Sequence, residues 1–155
     1  EEFPNLIITQ TMSKAYGMAG IRLGVCYASK EIITVLNSIK PPYNVNAMTQ
    51  LKALERLRNI AGVQREIQLI KMEKEILLKK LKQIEFVEKV IPSDANFLLI
   101  KVDNARRRYL QLIEKGIVVR NRSNQPLCEN SLRLSIGTKK ENEKLIESLQ
   151  SISKS

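Results

Sequence analysis

A chain of 155 residues is long enough for one compact domain with its own core. Its formal charge of +10 raises a nucleic-acid surface as one reading, yet only 5% of residues are aromatic and tryptophan is absent, so platforms for stacking bases are scarce. Histidine is absent too, which removes imidazole acid–base chemistry, His–Cys dyads and most metal sites, and no metal is expected.

In chain order, Leu6–Thr11 is a short apolar and β-branched run that ends where small residues begin, so it reads as a strand. Residues 23–28 read as the next strand, with a turn between the two. Ser29 is a helix cap, Glu31 and Ile32 open a short helix to about Ile39, and Pro41-Pro42 stops it. Asn46 caps a long helical pattern in which apolar residues recur from Ala47 through Leu51, Leu54, Leu57 and Ile60 to Ile84. Lys74 falls where one apolar residue is due, and Gly62 is the expected kink or break. A near-heptad spacing of this length also fits a coiled coil.

Beyond that helix the pattern shortens. Residues 86–91 form a strand, Pro92-Ser93-Asp94 a turn, and residues 96–102 a buried strand. A helix follows over about 104–115, with Tyr109, Leu112 and Ile113 inward and Gly116 ending it; the Arg106-Arg107-Arg108 run reads as a solvated face. Residues 117–120 make another strand, 121–130 a polar loop, and 131–136 the last strand, by its alternation. Thr138 caps a final amphipathic helix to about Ile152. Strand, strand, helix, strand, strand, helix gives a compact α+β layer.

The stretch richest in chemical meaning runs Thr11-Met12-Ser13-Lys14-Ala15-Tyr16-Gly17-Met18-Ala19-Gly20-Ile21-Arg22-Leu23-Gly24. One lysine sits among small residues, a hydroxyl directly before it and an arginine eight positions after it. A lysine amine forms an imine with an aldehyde cofactor. A serine hydroxyl and a guanidinium hold a cofactor phosphate, and glycines let the backbone approach a flat ligand. Cys26, in an apolar run, reads as a small core residue, and Cys128 lies in the polar loop. Their spacing is not a Cys-x-x-Cys pair, so a reduced, intracellular protein is the default. No apolar run reaches membrane-spanning length and no signal-peptide pattern precedes Lys14, so a soluble cytoplasmic segment with no membrane partner is expected.

The Thr-(apolar)-Ser-Lys-Ala-x-Gly-x-Ala-Gly string resembles the attachment segment of the pyridoxal-phosphate enzymes of the aspartate-aminotransferase fold type, and within it the histidinol-phosphate branch. The resemblance implies that Lys14 carries pyridoxal 5'-phosphate and then shuttles a proton at the substrate α-carbon, while Ser13 and Arg22 bind the cofactor phosphate. It implies an α/β with α+β fold in three parts. Residues 1–45 would close the large cofactor-binding domain, 46–84 form a long connecting helix, and 85–155 a small C-terminal α+β domain. Whole enzymes of this kind are more than twice as long. The chain is therefore expected to be the carboxy-terminal portion of a homodimeric enzyme, nearly inactive alone and with apolar surface left bare.

Arg120 and Arg133, on neighbouring predicted strands with a polar loop between, are weak ligand candidates on spacing alone. Leu132-Arg133-Leu134-Ser135-Ile136-Gly137-Thr138 resembles the family's carboxy-terminal arginine segment, and Gly-Ile-Val-Val-Arg before the loop resembles the histidinol-phosphate type. That likeness implies that Arg133 receives the α-carboxylate of glutamate or 2-oxoglutarate. Arg120 would hold the distal acidic group, the phosphate of histidinol phosphate included. Another enzyme of the same fold type, such as a threonine-phosphate decarboxylase or an aromatic aminotransferase, stays open, as does a non-enzymatic basic helical module.

Overall fold

The computed structural model describes residues 3–153. It resolves into two compact units, one ending at Ile67 and one beginning at Gln68, with the boundary inside a helix. Each is built by different means.

The first unit opens with a hairpin. Strand β1 (Ile8–Thr11) pairs antiparallel with β2 (Gly24–Tyr27), Thr11 opposite Gly24. Helix α1 (Lys30–Ile39) starts at Ser29, whose hydroxyl accepts from the Ile32 amide, and ends before Pro41-Pro42. Helix α2 (Ala47–Arg58) starts at Asn46, whose side chain accepts from the Thr49 amide at 2.8 Å. The long helical pattern, expected to kink or break at Gly62, divides into two helices, and the break lies at Asn59. Asn59 leaves helical geometry (φ −105°, ψ 47°), and its carboxamide oxygen then accepts from the Gly62 amide at 3.1 Å, capping α3 (Ile60–Leu81). Gly62 leaves room for this cap. A Cβ there would lie 2.6–2.8 Å from the Asn59 side chain.

The second unit carries the core. Strands β3 (Val87–Ile91), β4 (Phe97–Val102), β5 (Arg120–Asn121) and β6 (Ser131–Ser135) form an antiparallel sheet in the order β3-β4-β6-β5. Helix α4 (Ala105–Glu114) precedes β5 and α5 (Lys139–Ser153) follows β6. Ile100 stands opposite Leu132 and Leu98 opposite Leu134, so alternation puts Leu98, Ile100, Val102, Leu132 and Leu134 on one sheet face. All five are fully buried, in one cluster with Leu112 of α4 and Leu145, Ile146, Leu149 and Ile152 of α5. Lys74 explains its place in an apolar register by donating to the Ser93 carbonyl at 2.7 Å. Thr138 and Glu141 make a reciprocal cap at the start of α5: the Thr138 amide donates to the Glu141 carboxylate at 2.7 Å.

Further expectations are corrected. Ile113 is exposed, and the inward side chain of the arginine run is Arg108. Its guanidinium donates to both Asp103 oxygens (2.9 and 2.7 Å) and to the Ile152 carbonyl, and it lies 4.1 Å over the Phe86 ring. The strand expected at 117–120 shrinks to Arg120–Asn121. Gly116 is left-handed (φ 71°) and the Ile117 amide is already spent on the Leu112 carbonyl, so the chain reaches ladder register only at Arg120. Cys26, expected in the core, is only half-buried.

Candidate active site

The lysine segment is the loop that closes the β1–β2 hairpin. The ladder runs one step past Thr11 and Gly24, the Met12 amide donating to the Leu23 carbonyl at 3.1 Å. Ser13 and Arg22 follow and precede that closing bond, so the residues read as phosphate ligands flank the mouth of one loop. Inside it the Gly17 amide donates to the Lys14 carbonyl (2.8 Å) and the Met18 amide to the Met12 carbonyl (2.9 Å). Gly17 has φ +68°, a conformation that costs a side-chain-bearing residue about 1 kcal/mol or more. Arg22 is itself left-handed (φ 53°), with Nη1 on the Ala19 carbonyl at 2.9 Å. Lys14 is exposed, and its side chain enters no hydrogen bond or ion pair among the described residues. The loop therefore fits a group that combines an aldehyde with a phosphate: an amine free to condense, a hydroxyl beside it, and a guanidinium with open donors.

Helix α2 holds this loop at two carbonyls. Thr49 Oγ1 donates to the Ile21 carbonyl at 3.2 Å, and Arg56 Nε donates to the Tyr16 carbonyl at 2.8 Å. The rest of the Arg56 fork faces Glu66 of α3, with Nη1 on Oε1 at 3.0 Å and Nη2 on Oε2. The pairing holds the Glu66 carboxyl below its usual range and raises Arg56 above the ordinary guanidinium value. Sequence reasoning missed Arg56 and Glu66, since nothing local marks them. Tyr43 is fully exposed with a left-handed backbone (φ 57°), and Tyr16 contributes its backbone carbonyl.

In the second unit Arg120 and Arg133 are direct cross-strand partners, so their side chains share the sheet face opposite the core. Arg133 stacks 4.9 Å over Phe97, and its Nε is buried with no partner among the described residues. The ladder continues from the Arg122 amide to the Ser131 carbonyl at 2.8 Å, which adds a third guanidinium. Burial first, and then repulsion from Arg120 and Arg122, holds Arg133 below its ordinary value. None of the three meets a carboxylate among the described residues. A buried donor amid three guanidiniums suits an anion. Arg122 was missed because it lies in the stretch read as a polar loop. Ser13, Lys14 and Arg22 are thus gathered in the first unit, and Arg120 and Arg133 in the second. No group of ligands for a metal ion occurs among the described residues, and no helix there is long and apolar enough to cross a membrane.

A hairpin loop that carries Lys14 between Ser13 and Arg22, and a sheet with Arg120 beside Arg133, lead to a class: residues 1–149 match the aminotransferase class I and II family, and the chain belongs to it. At the level of individual proteins it is similar to the histidinol-phosphate aminotransferase of Flavobacterium johnsoniae, at 61% identity over 97% of this chain and 43% of that protein. Among solved structures it resembles the histidinol-phosphate aminotransferase of Clostridium acetobutylicum, with TM-score 0.90, 27% identity, and 99% of this chain and 47% of that one covered. The fold is shared with a histidinol-phosphate aminotransferase of Sinorhizobium meliloti solved with pyridoxal-5'-phosphate, at TM-score 0.83 and 21% identity, over 97% of this chain and 42% of that one. The chain spans less than half the length of these relatives.

Proposed function

We propose that this chain is part of a pyridoxal-phosphate-dependent transaminase that moves an amino group between histidinol phosphate and 2-oxoglutarate, in histidine biosynthesis. The observation that carries the reading is Lys14, unpartnered in a hydrogen-bonded loop between Ser13 and Arg22. When bound, pyridoxal phosphate supplies an electron sink for the substrate α-carbon. Ser13 and Arg22 would hold its phosphate, and the Lys14 amine would hold its aldehyde carbon until the substrate amine takes that place, the displaced Lys14 amine then moving the α-proton. Arg133 offers its orphaned Nε to an α-carboxylate, and Arg120 takes the distal anion, so one pair of guanidiniums serves both half-reactions. The similarity to histidinol-phosphate aminotransferases favours that substrate over threonine phosphate or aromatic amino acids. The complete enzyme is read as a cytoplasmic homodimer. In it, residues 1–45 belong to the large domain, 46–84 connect, and 85–155 form the small domain.

The test is spectroscopic. The complete protein, given pyridoxal phosphate, is expected to develop the absorption of a lysine-bound cofactor, and borohydride is expected to fix the mass on Lys14. Lys14→Ala abolishes both. Histidinol phosphate is expected to shift the band faster than threonine phosphate or an aromatic amino acid. Arg133→Ala keeps the band and raises KM for glutamate by about tenfold or more, since one charge-assisted hydrogen bond contributes about 1.5–3 kcal/mol. A band that survives Lys14→Ala would overturn the reading. So would salt-sensitive nucleic-acid binding as the sole activity, which is the basic-module alternative.

A further inference from the structure

The Arg56–Glu66 contact spans ten residues. In one uninterrupted helix those residues would stand about 15 Å apart along the axis and on different faces. The break at Asn59 brings Glu66 back against Arg56, and the pair then has a third member, the Tyr16 carbonyl. Tyr16 lies within the turn closed by the bond from the Gly17 amide to the Lys14 carbonyl. Both ends of the guanidinium are thereby assigned. Glu66 fixes its plane, and Nε reaches the carbonyl of the turn that starts at Lys14.

We propose that Arg56 is a positioning residue for Lys14, acting through the Tyr16 carbonyl and oriented by Glu66. A lysine on a loop has four side-chain torsions of freedom, so the point its amine reaches depends first on where the backbone turn is anchored. Thr49 anchors the far side of the loop at Ile21; Arg56 anchors the side that carries the amine. Ion pairing between α2 and α3 would stabilise the helices in any case, and the donation from Nε to Tyr16 is what a purely structural pair does not need.

The inference rests on Lys14 being the cofactor lysine, so the test uses one readout that needs no cofactor and one that does. Arg56→Ala, Glu66→Gln and the exchanged pair Arg56→Glu with Glu66→Arg are made in the complete protein. The first readout is hydrogen exchange at the Gly17 amide; the second is the affinity for pyridoxal phosphate, read from its bound absorption, with kcat and KM alongside. Arg56→Ala is expected to speed Gly17 exchange about tenfold or more, weaken the cofactor by a similar factor, and lower kcat with little change in KM for the amino donor. The exchanged pair restores the ion pair and the unfolding midpoint but leaves the Tyr16 carbonyl without its donor, so exchange and cofactor affinity stay impaired. Should Arg56→Ala destabilise the fold, Glu66→Gln keeps Arg56 in place and is expected to give the same changes at a few-fold level. Full recovery of cofactor affinity in the exchanged pair would overturn the proposal, as would an unchanged Gly17 amide in both single variants. Faster Gly17 exchange in Arg56→Ala, in a protein whose wild type binds no cofactor, would fault the assignment of Lys14, not the tether.

Discussion

The two units reach order by opposite routes. The unit beginning at Gln68 buries a contiguous cluster in which Leu98, Ile100, Leu112, Leu132, Leu134 and Leu149 are all fully inaccessible. The unit ending at Ile67 buries few apolar side chains, with Met12, Ala53 and Val63 among them, while Leu51, Leu54, Leu57 and Ile60 stand about half exposed along α2 and its junction with α3. What holds the lysine loop is a set of hydrogen bonds: the hairpin ladder, the turn bonds, Thr49 on Ile21, and Arg56 on Tyr16. Apolar burial is non-directional and gives cohesion; hydrogen bonds are directional and set atoms in position. The region that carries Lys14 is thus specified by directional bonds, and the region that carries Arg133 by a packed core.

The sharpest way to break this comparison is to truncate one side chain in each unit. Ile100→Ala is expected to cost about 3–4 kcal/mol by lost transfer energy and a residual cavity. Leu54→Ala, on an exposed face, is expected to cost less than about 0.5 kcal/mol. Urea unfolding of each variant checks both, and equal losses would mean that the first unit owes its order to burial after all.

A smaller effect probes the Arg108–Asp103 pair of the second unit. Arg108 holds the Asp103 carboxyl below the usual carboxylate range, chiefly through their hydrogen bonds, against a smaller opposing effect of burial. A pKa lowered in the folded state stabilises the fold above the unfolded value, about 3.9, and that gain is lost as pH falls through the folded value. Asp103→Asn should therefore destabilise by about 1–2 kcal/mol at pH 7, discounted from the buried-pair figure because Asp103 is two-fifths exposed. The gap to wild type should stay constant from pH 7 to 5 and close below about pH 4. Thermal melts at each pH read it, and a gap that widened on acidification would contradict the assignment.

The smallest effect concerns the junction of α2 and α3. Gly62→Ala alone must displace the Asn59 cap, which offsets the helix-propensity gain, so a net change near zero is expected. In an Asn59→Ala background the same change should stabilise by about 0.5–1 kcal/mol. A double-mutant cycle by urea unfolding measures the coupling, and simple additivity would remove Asn59 from its role.

The chain by itself determined the features that depend on neighbours in sequence. Ser29, Asn46 and Thr138 cap helices because a short polar side chain reaches an amide three residues on, and Gly116 ends α4 because only its φ is unrestricted. The alternation from Ser131 to Ser135 and the small-residue string around Lys14 are legible for the same local reason. Tertiary structure alone decided which of several equivalent residues does what. Arg108 rather than Arg106 or Arg107 turns inward because Asp103, Phe86 and the Ile152 carbonyl meet there. Asn59 rather than Gly62 breaks the helix because a side-chain cap outweighs a weak propensity. Arg56 reaches Tyr16 across forty residues of chain, a separation at which no local pattern leaves a trace. Local hydrogen bonding and periodicity act over three or four residues and are written in the chain; the orientation of a guanidinium depends on every group that packs around it.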